Sequence, residues 1–87
     1  NFDLAWYVGG RIYVTEVKSI TDDNEESQLR HGLGQVLHYK MQLIESGQEA
    51  IAVLAVERKP PEIWGKVCEM VNVILVWPGE FKRCFKG

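Results

Sequence analysis

Gly9-Gly10 is the feature that most constrains how this chain folds. The pair separates two segments rich in aromatic and β-branched residues, Phe2–Val8 and Arg11–Ser19. A two-residue link between such segments predicts a β-hairpin with a primed turn, which needs positive φ at its centre. The spacing then sets the register. Val8 pairs with Arg11, Tyr7 with Ile12, Ala5 with Val14, and Asp3 with Glu16. Residues directly opposite share a face, with Cβ atoms about 4.5–5.5 Å apart. Lys18 joins that face because strand side chains alternate.

Two carboxylates this close repel each other, and a compensating cation is expected. Lys18 supplies part of the compensation. A hard divalent ion supplies more, since Mg²⁺ takes one or two carboxylates and keeps several waters. A cation with an ammonium beside it suits phosphoryl chemistry. The plainer alternative is a surface patch in which two acids flank a lysine.

Both faces of the hairpin are apolar. Phe2, Leu4, Trp6, Val8, Tyr13 and Val17 line one; Ala5, Tyr7, Ile12 and Val14 line the other. That predicts strands inside a layered sheet, with the acids at one end of a buried surface. Beyond the hairpin, helical spacing of Leu29, Leu33, Val36, Leu37, Leu43 and Ile44 predicts a helix from about Glu25 to Glu45. Asp22, Asp23 or Asn24 can cap it, with Asp23 and Glu26 at capping-box spacing, and Gly47 suits its end. Gly32 and Gly34 inside it each cost about 1 kcal/mol against alanine, so close packing on the sheet or approach of a ligand is expected there. Gln28, Gln35 and Tyr39 sit along one margin of the apolar stripe. His31 and His38 fall nearer the polar side and are not assigned to a metal.

Glu49–Glu57 holds a continuous apolar run and reads as a buried strand parallel to Arg11–Ser19. Pro60-Pro61 opens a short helix bearing Ile63, Val67, Met70 and Val71, and Val73–Trp77 is the last strand, ended by Pro78-Gly79. The 87 residues make one small α/β domain.

The net charge of −2 disfavours a strong non-specific polyanion binder, although a bound cation would change the local field. Lys82, Arg83 and Lys86 at the C-terminus read as a solvated tail. Cys68 and Cys84 form no zinc pattern; Cys68 reads as a core residue, and sparse cysteine fits a reducing interior, with the cytoplasm as the expected location. No apolar run is long enough to cross a bilayer, and no membrane partner is expected. The chain lacks an initiator methionine and opens inside a predicted strand, so it reads as an N-terminally incomplete piece.

The order of these residues resembles the PD-(D/E)xK nuclease superfamily, in particular its RecB-like members. The match rests on Asp3, then Glu16-Val17-Lys18 on the next strand, then Gln35-x-x-x-Tyr39 on the following helix. It covers about the first half of the chain. The resemblance implies a restriction-endonuclease-like core with a mixed sheet: N-terminal hairpin, crossover helix, parallel strand, short helix and final strand. It also implies hydrolysis of phosphodiesters, with DNA favoured over RNA. Asp3, Glu16 and the Val17 carbonyl would hold Mg²⁺ or Mn²⁺. Lys18 would orient or deprotonate the attacking water, or stabilise the transition state. Gln35 and Tyr39 would support the site or contact the nucleic acid. One departure is clear: the helix and strand that usually precede the hairpin are missing. An uncovered edge strand would also invite a homodimer. An inactive nuclease-like fold serving as a nucleic-acid-binding or protein-interaction module is the rival expectation.

Overall fold

The structure, a computed structural model, describes residues 3–79. Phe2, Cys84 and the basic residues Lys82, Arg83 and Lys86 therefore lie outside the described residues. In chain order the elements are β1 (Leu4–Val8), β2 (Arg11–Lys18), α1 (Glu25–Glu45), β3 (Ala50–Val56), α2 (Glu62–Met70) and β4 (Val73–Val76). The described strands form one mixed sheet in the order β1-β2-β3-β4. β1 and β2 are antiparallel; β2 with β3, and β3 with β4, are parallel.

The hairpin forms as its turn requires. Gly9 and Gly10 both have positive φ, 58° and 83°, and the register runs Val8↔Arg11, Tyr7↔Ile12, Ala5↔Val14. The ladder stops at Leu4↔Thr15, one pair short of Asp3 and Glu16. There the Asp3 N–H donates to the Thr15 carbonyl at 3.0 Å, a slip of one residue.

β2 to β4 are bound on one face by both helices. Val14, Ala52 and Leu54 from the sheet join Leu29 and Val36 of α1 and Trp64 and Cys68 of α2 in one buried cluster. Burying side chains such as Leu29 and Leu54 completely contributes about 1.5–3 kcal/mol each. In-register parallel pairing places Glu16 beside Leu54 and Lys18 beside Val56 on that same face.

β1 departs from the expectation of burial. Leu4, Tyr7 and Val8 are more than half exposed, because β1 is the sheet edge and no helix of the described residues packs against it. Apolar character on both faces thus marks burial for most of β2, Val17 excepted, but not for its partner.

The ends of α1 differ in how far they follow the expected signals. Asn24 is the N-cap, yet its side chain makes no cap bond. Asn24 Oδ1 instead accepts from the Thr21 N–H at 2.7 Å, while the Asn24 N–H donates to Thr21 Oγ1 at 3.3 Å. This local turn takes the place of the Asp23–Glu26 capping box. At the other end, Gly47 N–H donates to Ile44 and Gln48 N–H to Leu43, the paired bonds that close a helix in a Schellman motif. No helix among the described residues is long and apolar enough to cross a membrane.

Candidate functional site

Glu16 is the most unusual side chain of the sheet. It is 4% exposed, in the middle of an apolar layer. Lys18 Nζ lies 3.4 Å from Glu16 Oε2. Glu16 Oε1 is buried and has no hydrogen-bond partner. Desolvating a carboxylate costs several kcal/mol, and a single ammonium at this distance does not satisfy both oxygens. A sheet built for stability alone would carry an aliphatic residue here.

Lys18 is brought inward by α1. Gly32 stands above it, so close that a Cβ there would lie 2.9 Å from Lys18 Cγ and 2.8 Å from Leu54 Cδ1. Of the two glycines expected to ease packing, only Gly32 does so; a Cβ on Gly34 would meet nothing within 4 Å. The segment after Lys18 is held at two points. Gln28 Nε2 donates to the Ser19 carbonyl at 3.0 Å, and the Ile20 N–H donates to Glu57 Oε1 at 2.8 Å.

Asp3 reaches the site differently from the expected cross-strand pairing. Its N–H bonds to Thr15, and its carboxylate accepts the Val17 N–H at 2.7 Å. The side chain takes the Val17 N–H at the point where the register slips. Asp3 is nevertheless fastened to the two residues that flank Glu16. Its own side chain is exposed whereas Glu16 is buried, so the acids do not share one buried surface. The N–H and C=O of a strand residue point the same way. The Val17 carbonyl therefore turns toward the β1 side, where Asp3 lies.

Gln35 and Tyr39 lie on α1, both half-buried. Gln35 Oε1 is buried without a partner, and Tyr39 packs against the core cluster. His31 and His38 are exposed. Cys68 is 1% exposed, and burial pushes its thiol up to about 11. Sequence reasoning set Gln28 on a helix margin able to reach the edge of the site, but missed Glu57 as an anchor of the Lys18 segment; a glycine inside a helix, Gly32, also signalled close approach there.

The donors present suit a hard divalent cation. Two carboxylates and a main-chain carbonyl are oxygen ligands of the type Mg²⁺ takes, and the partnerless Glu16 Oε1 is a buried oxygen in want of a positive charge. Among the described residues no group of three or more His, Cys, Asp or Glu side chains gathers, so water and substrate oxygens would complete any such shell.

Two depressions flank this region. A crevice of about 400 Å³ at the carboxyl ends of β2, β3 and β4 has Lys18 in its wall. A larger groove of about 530 Å³ between α1 and α2 touches none of Asp3, Glu16 or Lys18. Compared with protein-family models, curated proteins and solved structures, the chain matches none.

Proposed function

We propose that this α/β domain is a metal-dependent nuclease of PD-(D/E)xK type, with a restriction-endonuclease-like core and the Q-x-x-x-Y arrangement of RecB-like members. The observation that carries the reading is the buried Glu16 carboxylate, with Lys18 on one oxygen and no partner on the other. Such a group costs stability where it sits, which is expected of a functional residue.

Asp3, Glu16 and the Val17 carbonyl would hold Mg²⁺ or Mn²⁺, which when bound polarises a phosphoryl oxygen and offsets developing charge. Lys18 places an ammonium beside Glu16, where it orients an attacking water or steadies the charge on the phosphoryl oxygens. Gly32 and Leu54 restrict the Lys18 stem, so the ammonium is positioned before substrate arrives. Gln35 and Tyr39 support the site from α1. DNA is the favoured substrate.

A second reading is an inactive fold of the same type that binds nucleic acid or protein. On its side is the Asp3 carboxylate, already engaged by the Val17 N–H. A cleavage assay with DNA and Mg²⁺ or Mn²⁺ separates the two. Cutting by the wild type, lost in both Glu16→Ala and Lys18→Ala, supports the nuclease. Equal cutting by all three rejects these residues as the site. Binding without cutting selects the second reading.

A further inference from the structure

The crevice at the carboxyl ends of β2, β3 and β4 has no role in the chemistry above, yet Lys18 belongs to its wall. Trp77, Pro78, Val76 and Ala55 give this crevice an apolar lining, and its volume of about 400 Å³ suits a group of nucleotide size. Trp77 is half-buried and packs against the core on one side, so its indole is a braced surface. Aromatic faces of this kind stack unpaired bases, largely without regard to sequence. Bases within a duplex are already stacked and cannot enter such a crevice without being extruded. The net charge of −2 also points away from purely electrostatic tracking of a duplex.

We propose that this crevice takes one unpaired nucleobase of the bound strand, stacked on Trp77, so that the phosphate beside it is presented near Lys18. The substrate class is then single-stranded or frayed nucleic acid. This base site deepens the nuclease reading and rests on it for the neighbouring phosphate.

The test measures fluorescence polarisation of labelled oligodeoxythymidine, single-stranded and annealed to its complement, in Ca²⁺ in place of Mg²⁺. Wild type and Trp77→Phe, which keeps an aromatic face, should bind the single strand in preference to the duplex. Trp77→Leu, checked for an unchanged fold by circular dichroism, should bind the single strand about tenfold more weakly. Equal affinity of Trp77→Leu and wild type, or equal affinity for duplex and single strand, overturns the base site. So does a thymidine monophosphate that competes as tightly as the strand, because the crevice would then serve a free nucleotide. Cleavage in Mg²⁺ is followed in parallel. A wild type that never cuts yet binds the single strand through Trp77 leaves the base site standing without the nuclease. A cutting enzyme indifferent to Trp77 gives the reverse.

Discussion

Gly32 of α1 lies directly over the stem of Lys18, with room for a hydrogen atom and none for a methyl group. Gly34, two residues on, faces open space. The pair allows helix propensity to be separated from site geometry. Gly34→Ala should stabilise the fold by about 0.5–1 kcal/mol, the usual gain of alanine over glycine in a helix. Gly32→Ala has the same propensity gain but must displace Lys18 or the fully buried Leu54, an overpacking cost of about 1–3 kcal/mol. Its net stability should be equal to or below wild type, and cleavage should fall by at least tenfold as Lys18 moves. Denaturant midpoints alongside activity check both variants. A fully active Gly32→Ala would show that the Lys18 position is not restrictive.

Glu16 and Lys18 form a nearly enclosed ion pair, the kind whose replacement by apolar residues is often neutral or stabilising by about 1–4 kcal/mol. The double variant Glu16→Leu/Lys18→Met should melt at or above the wild-type temperature while losing all cleavage. Glu16→Leu alone should melt lower, because Lys18 is left without its partner. Mg²⁺ should raise the melting temperature of the wild type, by a free energy of about 2.7 kcal/mol at a hundredfold excess over its dissociation constant, and should leave the double variant unmoved. Differential scanning calorimetry with and without Mg²⁺ reads all of these outcomes. An equal Mg²⁺ response in both proteins would place the ion elsewhere.

Cys68 is buried on the core side of α2, and its thiol is pushed up to about 11 from 9.0 by loss of solvent. The folded state therefore keeps a proton that the unfolded chain releases above pH 9. The contribution to stability is complete below pH 9 and declines as the pH rises toward 11. In a Cys84→Ser background, Cys68 should resist iodoacetamide at neutral pH in the native protein and react once guanidinium unfolds it. Mass spectrometry of the alkylated chain checks this, and rapid native labelling would contradict the burial.

Most of the element order was legible because each signal was local. Gly9-Gly10 specified the turn, Leu29 to Leu43 the helical period, and the Ala50–Val56 run a strand buried on both faces. The Asp3–Glu16 pairing was only partly legible. The Asp3 carboxylate accepts the Val17 N–H where the ladder slips, and a side chain that accepts a strand N–H leaves no mark in the alternating pattern. The α1 start at Glu25 with Asn24 as cap was legible, but the capping box was not, because Thr21 and Asn24 satisfy each other. The exposure of β1 was not legible either. Leu4, Tyr7 and Val8 look alike whether a strand is central or at an edge, since only neighbouring elements decide. Trp77 read simply as a strand terminus, because its place in a crevice depends on β2 and β3 as well as β4.

Among the described strands β1 is hydrogen-bonded along one side only, and it carries Asp3 beyond its last ladder pair. Segments with so little packing open at a lower free energy than the sheet interior. Under the nuclease reading the hairpin arm is then a detachable half of a clasp. When it peels away, Glu16 and Lys18 stay seated on an intact platform and only the opposing jaw departs. On that reading, loss of grip on the ion and collapse of the protein would be separate events on warming, the first arriving while the second is still far off.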